Sequence, residues 1–335
     1  MASSNLLTNQ RLLVTGGGSG FGAEISRQAV NEGAKVVILD VSPTGQDVAD
    51  EINAKVPDSV VFVKGSVTET AGWEAAREAA VKAFGGVDSV VNNAGWSYHT
   101  KPTLDVTLEE FNKTFDLNVK SIFLSVQAIV PLMIKQGTGG TFIQIGSVSH
   151  LRPRPGLAWY AASKGTVSTV AKSLATEFAD KNIRFNTILP VLTPTGLMEQ
   201  FVGVGQHDKA GHEKPLGRLG KPQDIAEAVV WLSSPRAQFI TGVDLPVDGG
   251  RHSEYSYSQE TKLTPQSNGL SGRSGLKYVI AVCIGYEGLR GLRAAVHAHT
   301  ANIMLALDTC AYFFLPTCYS SKAAAHTAPN QLTSR

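Results

Sequence analysis

Six short, almost continuously apolar runs recur through the first 190 residues, and they constrain the fold more than any other feature. They read RLLVT, KVVILD, SVVFVK, DSVVN, TFIQIGS and IRFNTIL, and they are rich in valine and isoleucine. Strands that are buried on both faces have this composition. Amphipathic stretches such as GAEISRQAVNEG and WEAAREAAVKAFG separate the runs. Alternating strands and helices predict an α/β fold: a doubly wound parallel sheet with helices on both faces, whose ligands bind at the carboxyl ends of the strands.

The first apolar run leads directly into a glycine-rich turn, TGGGSGFG, from Thr15 to Gly22. Glycines allow a tight turn and let the backbone approach a pyrophosphate, and the following helix presents free N–H groups and its positive dipole end. A glycine cluster placed between a strand and a helix indicates a dinucleotide site, with a plain flexible loop as the alternative.

Asp40 ends the second apolar run. A carboxylate at that position can accept hydrogen bonds from both ribose hydroxyls of an adenosine, and it would repel a 2′-phosphate. The residues that follow it are Val41, Ser42 and Pro43, with no arginine or lysine among them, and Ser19 in the glycine turn is uncharged. The charges therefore favour NAD(H) over NADP(H), although an aspartate that only caps the next helix would look the same.

The composition changes near residue 250. Residues 1–250 contain no cysteine and carry 22 basic and 24 acidic side chains, whereas residues 251–335 carry 8 and 4 and contain Cys283, Cys310 and Cys318. A polar segment rich in glycine and serine, SYSQETKLTPQSNGLSGRSG, follows the change and is typical of a linker. We therefore expect a catalytic domain over residues 1–250 and, over 251–335, a poorly ordered extension that is dispensable for the chemistry.

Charge, hydropathy and spacing argue against several other classes of protein. A formal net charge of +2 gives no reason to expect nucleic acid or an acidic membrane surface as a partner. The sequence contains no run of about 18 apolar residues, so no membrane span is predicted. The N-terminal segment MASSNLLTNQ lacks the pattern of a secretory signal. Three scattered cysteines suit a reducing compartment, so we expect a cytoplasmic protein. His207 and His212 do not share one helix face, and no metal site is predicted.

One tyrosine and one lysine lie four residues apart in WYAASKGT, at Tyr160 and Lys164. On a helix, positions i and i+4 share a face, so the ammonium would lie beside the phenol. A surface lysine near a half-buried tyrosine would give the same spacing, and the pair alone does not decide between these two interpretations.

Seven motifs, in this order, make residues 10–250 resemble the short-chain dehydrogenase/reductases with a single Rossmann-like domain. They are TGGGSGFG, NNAG (92–95), NVKS (118–121), GSVS (146–149), YAASK (160–164), LP (189–190) and ITGVDLPVDGG (240–250). The resemblance implies an oxidoreductase that moves a hydride between nicotinamide and a secondary alcohol or ketone. It also implies assembly into homodimers or homotetramers through the long helices that follow TLEEF and YAASK.

The resemblance implies four catalytic residues. Tyr160 would be the general acid/base, and because a phenol has a pKa near 10, a neighbouring cation must lower that pKa for work near neutrality. Lys164 would supply the cation and bind the nicotinamide ribose. Ser147 would donate a hydrogen bond to the substrate oxygen, and Asn118 would hold a water that links the lysine to solvent. Ser149 is interpreted as a loop residue because its spacing to the tyrosine fits less well.

The same resemblance implies a set of cofactor contacts around the glycine turn, the adenosine and the nicotinamide. They are Gly16, Ser19, Gly20, Phe21, Gly22, Asp40, Ser66, Val67, Asn93, Ala94, Gly95, Tyr160, Lys164, Pro190, Thr193 and Thr195. Asn92 would support the central strand. The chain departs from the family pattern at two places: Ser66 stands where an aspartate usually binds adenine, and Val191 stands where a glycine often follows Pro190.

Two further features leave alternatives open. HLRPRPG places Arg152 and Arg154 at the rim of the expected substrate pocket, where solvated loop arginines are the usual case and contact with an acidic substrate is the alternative. The rival functions are an NADPH-dependent biosynthetic ketoreductase and a non-catalytic nucleotide-binding protein that docks partners through its extension. The presence of Ser147, Tyr160 and Lys164 argues against the second rival.

Overall fold

The computed structural model describes residues 5–196, 198–202 and 215–253. Within these ranges all seven strands are parallel and form one sheet in the order β3-β2-β1-β4-β5-β6-β7. The strands are β1 Arg11–Thr15, β2 Lys35–Asp40, β3 Val60–Lys64, β4 Ser89–Asn92, β5 Gly140–Ile145, β6 Ile183–Pro190 and β7 Asp244–Val247. The six apolar runs are the first six strands, so the predicted doubly wound α/β fold is confirmed.

Helices cover both faces of this sheet. They are α1 Gly20–Asn31, α2 Thr44–Asn53, α3 Thr70–Phe84, α4 Leu108–Phe115, α5 Ser121–Gln136, α6 Ala158–Glu177, α7 Met198–Val202 and α8 Pro222–Ser233. One hydrophobic core joins β-strand residues to α1, α2 and α8, through side chains such as Ile25 and Ile225. A second core on the opposite face joins the sheet to α3, α5 and α6, through Trp73 and Ile129 among others.

The strand order places a crevice at the centre of the sheet. The chain winds outward from β1 to β3 and then returns to β4 on the other side of β1, so the strand order reverses between β1 and β4. In open parallel sheets ligands bind at such a switch point, outside the carboxyl ends of the strands. The ends of β2 and β5 lie three strand spacings apart across it, about 14 Å at the usual separation of neighbouring strands.

A single helical segment of 29 residues, Leu108–Gln136, runs through α4, a π-helical turn at Asp116–Lys120, and α5. By length and composition it could cross a membrane, with a mean hydropathy of 1.7 in its most apolar window. Ile129 and Met133 are fully buried in the domain core, so this segment has the position of a core helix.

Two predictions fall largely outside the described ranges. The extension over residues 251–335 is described only at Arg251–Ser253, where a short 3-10 turn follows β7. His207 and His212 belong to the gap at 203–214, so the interpretation of that segment stays a prediction.

Candidate active site

The glycine turn packs β1 directly against the start of α1. Gly16 has a φ of +66°, a left-handed conformation that favours glycine. A Cβ on Gly22 would lie 2.2 Å from the Gly16 carbonyl oxygen, so the first turn of α1 fits only without a side chain there. Ser19, the N-cap of α1, makes no side-chain cap hydrogen bond, and the first turn contains no acidic residue. This helix terminus therefore suits an anion such as a pyrophosphate.

Thr15 ties this turn to the segment after β4. Its hydroxyl accepts hydrogen bonds from the backbone N–H groups of Asn93 and Ala94, both at 3.0 Å, and donates to the Val91 carbonyl at 3.2 Å. The Asn93 amide also donates to the carbonyls of Thr15 and Gly16, at 2.8 and 3.2 Å. The sequence alone predicted no role for Thr15, although a hydroxyl at the end of a central strand is the available signal.

Asp40 lies at the carboxyl end of β2, as predicted. Its Oδ2 accepts a hydrogen bond from the Gly18 N–H at 2.8 Å, and its Oδ1 accepts from the Ser42 N–H at 2.9 Å. These bonds hold the carboxylate in place at the edge of the crevice and leave lone pairs on both oxygens. The neighbouring Val41 is exposed and brings no positive charge.

One cavity of about 860 Å³ runs along the crevice and gathers most of the predicted site. The predicted residues in its wall are Gly16, Ser19, Gly20, Phe21, Asp40, Ser66, Val67, Asn93, Ala94, Gly95, Ser147, Tyr160, Lys164, Pro190, Thr193 and Thr195. Two predicted residues are not in that wall. Gly22 lies behind it, against the Gly16 carbonyl, and Asn118 lies beneath the residues that follow β4.

Ser147, Tyr160 and Lys164 come together from two elements. Ser147 follows β5 and caps a 3-10 turn, where its Oγ accepts a hydrogen bond from the Ser149 N–H. Tyr160 and Lys164 share one face of α6, with exposures of only 6% each. The Lys164 Nζ donates to the Ile145 carbonyl at 2.7 Å and lies 5.9 Å from the centre of the Tyr160 ring. The i and i+4 spacing therefore places both side chains inside the domain.

The pKa of Tyr160 differs from the predicted direction. Burial raises it to about 12, because the phenolate would lose its hydration, while a hydrogen bond with Ser147 and the charge of Arg154 act to lower it. Burial also lowers the pKa of Lys164 to about 8. Burial therefore disfavours the charged forms of both side chains, and the groups that act to lower the pKa of Tyr160 are Ser147 and Arg154 rather than the predicted Lys164.

Asn118 uses its side chain to join parts of the protein. It lies in the π-helical turn, is 2% exposed, and accepts a hydrogen bond from the Trp96 N–H at 2.9 Å. Its amide donates to the Trp96 carbonyl at 3.0 Å and to the Ser163 hydroxyl at 2.9 Å, and Ser163 in turn donates to the Tyr160 carbonyl. Asn118 therefore connects the segment after β4 to the helix that carries Tyr160 and Lys164.

Ser66, which follows β3, lies in the cavity wall together with Asp40, and its hydroxyl is within 2.8 Å of the Thr68 hydroxyl. At the other end the wall contains residues for which no role was predicted from the sequence. They are Trp96, Leu157, Leu192, Phe201 and Arg251, together with Arg152 and Arg154, which were expected at the rim. Phe201 on α7 lies against Tyr160, with ring centres 5.2 Å apart. No motif indicated the positions of Phe201 and Arg251, because they come from segments that are distant in sequence from Tyr160.

Comparison with known proteins adds an independent observation to this geometry. A family model described as enoyl-(acyl carrier protein) reductase matches residues 16–252. The 4-formylbenzenesulfonate dehydrogenase of Comamonas testosteroni is 39% identical over 251 residues, which are 73% of this chain and 99% of that protein. The NADP-dependent (R)-specific alcohol dehydrogenase of Lentilactobacillus kefiri is 35% identical over 241 residues, 71% of this chain and 94% of that protein.

A solved structure agrees with these relatives. The 3-ketoacyl-(acyl-carrier-protein) reductase from Brucella melitensis, crystallised with NADH, superposes with a TM-score of 0.68 at 38% identity, covering 73% of this chain and 99% of that one. With the family model, the relatives and the fold in agreement, the chain belongs to the short-chain dehydrogenase/reductase family of oxidoreductases.

Proposed function

We propose that this protein is an NAD(H)-dependent oxidoreductase that interconverts a secondary alcohol and a ketone. The observation that carries the proposal is the single cavity that joins the Asp40 carboxylate and the uncapped start of α1 to Ser147 and Tyr160. A dinucleotide must reach from the second strand of such a sheet to the fifth, and this cavity has lining residues at both places.

The cofactor would be held by residues whose chemistry fits it. The start of α1 and the Gly16 turn suit the pyrophosphate, and Asp40 suits the adenosine ribose, because its carboxylate can accept hydrogen bonds from the ribose hydroxyls. A 2′-phosphate would place negative charge against this carboxylate, and no arginine or lysine follows Asp40 to neutralise it. The related enzyme from Lentilactobacillus kefiri is NADP-dependent by name, so NADP(H) is the competing assignment and Asp40 is the residue that argues against it.

Bound nicotinamide supplies or accepts the hydride, and the protein moves the proton. In the reducing direction the Tyr160 hydroxyl donates its proton to the oxygen that develops on the substrate carbon, and the Ser147 hydroxyl donates a hydrogen bond to the same oxygen. In the oxidising direction the Tyr160 phenolate removes the alcohol proton. Because burial raises the pKa of Tyr160 to about 12, the phenol is the form present at neutral pH, and it is ready for reduction.

The proposal can be tested by assaying the purified full-length protein. Ketones are supplied with NADH or NADPH, alcohols are supplied with NAD⁺, and the reaction rate is measured from the nicotinamide absorbance. Tyr160→Phe should lower kcat/KM by about 10²–10⁴-fold, the usual contribution of general acid–base catalysis, and should leave NADH binding unchanged. Residual activity within about tenfold of wild type would overturn the role of Tyr160.

A pair of serine variants provides the matched control. Ser147→Ala should lower kcat/KM strongly, because its hydroxyl interacts with Tyr160. Ser149→Ala should retain most of the activity, because the Ser147 hydroxyl contacts the backbone N–H of Ser149 and not its side chain. The reverse ranking would assign the substrate contact to Ser149 instead.

A further inference from the structure

Three arginines lie in the wall of the cavity at the end where Tyr160 is found. They are Arg152 and Arg154, from the loop that leads into α6, and Arg251, which follows β7. Positive charge is thus brought to one end of the cavity by two segments that are about 100 residues apart in sequence. From this placement we infer that the natural substrate carries an anionic group, a carboxylate or a sulfonate, which these arginines bind; the inference rests on the proposed function.

The protein holds these guanidinium groups at defined positions. The Arg152 Nη1 donates to the Arg251 carbonyl at 2.7 Å, and the Arg154 Nη2 donates to the Phe201 carbonyl at 2.8 Å. The Arg154 Cζ lies 5.9 Å from the centre of the Phe201 ring, whose centre is 5.2 Å from that of Tyr160. Arg154 is therefore separated from the phenol by about one aromatic side chain, and its charge lowers the pKa of Tyr160.

Asp40 is the acidic residue in the described part of the wall, and it lies at the far end of the cavity, beyond β1 and β4 from Ser147. Asp248, three residues before Arg251, is buried and accepts hydrogen bonds from the N–H groups of Gly250 and His252. The three arginines have further contacts within the protein, and the inference depends on their charge and position, not on an unused donor.

The rest of this end is apolar. Trp96, Leu157 and Phe201 contribute ring and aliphatic surface to the wall near Tyr160. A substrate that fits both features has an apolar body, such as an aromatic ring, with the reacting alcohol or ketone at one end and the anionic group at the other. Guanidinium groups match carboxylate and sulfonate oxygens because they present paired donors to paired acceptors.

The test compares two alcohols that differ in one charged group, 4-(1-hydroxyethyl)benzoate and 1-phenylethanol. With NAD⁺ and the full chain, kcat/KM should be about tenfold or more higher for the benzoate, the effect of one charge-assisted contact. Arg152→Gln and Arg154→Gln should each remove most of this preference. Arg236→Gln, which removes an exposed arginine outside the cavity wall, should keep it.

The ratio between the two alcohols separates binding from catalysis. Arg154 also acts on Tyr160, and its substitution will change turnover of both alcohols, but that effect cancels in the ratio. Arg152→Gln keeps the contact between Arg154 and the Phe201 carbonyl, so it still tests the inference if Arg154→Gln disturbs α7. Equal kcat/KM for both alcohols in the wild type would overturn the inference and leave the proposed function intact.

Binding provides the second measurement, using 4-acetylbenzoate and acetophenone by titration calorimetry. If neither alcohol is oxidised, this binding measurement decides the inference by itself. Tighter binding of 4-acetylbenzoate that is lost in the Arg152 and Arg154 variants would still support the anionic site. Equal binding of the two ketones, or a preference that both variants retain, would overturn it.

Discussion

Replacing Lys164 with methionine should abolish activity and make the folded protein more stable. Lys164 is 6% exposed, and burial lowers its pKa from 10.5 to about 8. Methionine has a similar unbranched length and removes the ammonium group. If the lysine is kept for its chemistry, the fold should gain from losing it, as happens at many active sites.

The expected magnitude follows from the pKa. One pKa unit is worth about 1.36 kcal/mol, so keeping the ammonium inside the domain at neutral pH costs about 3 kcal/mol relative to the unfolded chain. The substitution also removes the hydrogen bond from the ammonium to the Ile145 carbonyl, which costs about 1.5–3 kcal/mol because the donor is charged. The net expectation is a gain of up to about 1.5 kcal/mol in the free energy of unfolding at pH 7.

The pH dependence of this gain has a definite sign. Below pH 8 the lysine is protonated in both the folded and the unfolded state, so the full cost of the buried charge is present. Between pH 8 and 10.5 the folded lysine is neutral while the unfolded lysine is still charged, so the cost falls, and above pH 10.5 it disappears. The advantage of the methionine variant should therefore shrink by about 2 kcal/mol between pH 7 and pH 9.5.

Urea unfolding followed by circular dichroism at these two pH values measures the difference directly. Lys135→Met is the matched control, because Lys135 is exposed at the end of α5 and its loss should change stability little at either pH. A Lys164→Met variant that is less stable than wild type at pH 7, with a difference that does not change at pH 9.5, would refute the reasoning.

Three other predictions address the cofactor, the glycine turn and the proton. The double substitution Asp40→Ala and Val41→Arg should shift the ratio of kcat/KM with NADP(H) to kcat/KM with NAD(H) in favour of NADP(H), and Val41→Arg alone is the control. A wild type that already prefers NADPH would contradict the charge argument. Gly22→Ala should weaken NADH binding and lower the free energy of unfolding, because its Cβ would lie 2.2 Å from a carbonyl oxygen. The control is Gly165→Ala, whose Cβ would have its nearest neighbour at 3.6 Å and which should leave NADH binding and stability almost unchanged. Burial raises the pKa of Tyr160 to about 12, so the phenolate fraction grows about tenfold per pH unit below that value. From pH 6 to 8, kcat/KM for alcohol oxidation should therefore rise about tenfold per pH unit, while kcat/KM for ketone reduction stays level. If the two pH profiles are parallel, Tyr160 is not the titrating group.

The sheet could be predicted because its strands are buried on both faces. That requirement leaves continuous apolar runs in the sequence, and β1, β2 and β6 coincide with three of them. The gathering of the predicted cofactor contacts around one cavity was predictable for a related reason, since the carboxyl ends of parallel strands meet at one edge of the sheet. Local sequence was enough to predict these features because each depends on a single strand or helix and on its place in the order of strands and helices along the chain.

The substrate end and the pKa values could not be predicted in this way. Phe201 and Arg251 reach the cavity from α7 and from the turn after β7, and no periodicity links them to Tyr160. The pKa of Tyr160 depends on how much of the phenol is buried, which many residues from several elements decide together. The i and i+4 spacing correctly placed Lys164 on the same face as Tyr160, but spacing gives no measure of desolvation.

Asn118 shows how the fold limits the chemistry that can be assigned to a residue. The family resemblance implies that this asparagine holds a water, yet its side-chain oxygen and nitrogen bind the Trp96 backbone and the Ser163 hydroxyl. Both N–H bonds of the Asn118 amide are used, while its side-chain oxygen accepts one hydrogen bond and has a second lone pair. A water held by Asn118 would therefore donate to this oxygen or to the backbone carbonyl. The π-helical turn around Asn118 interrupts the regular helical hydrogen-bond pattern, and such turns are frequent at functional sites. The side chain of Asn118 also fixes the segment that carries Gly95 and Trp96 against the helix that carries Tyr160.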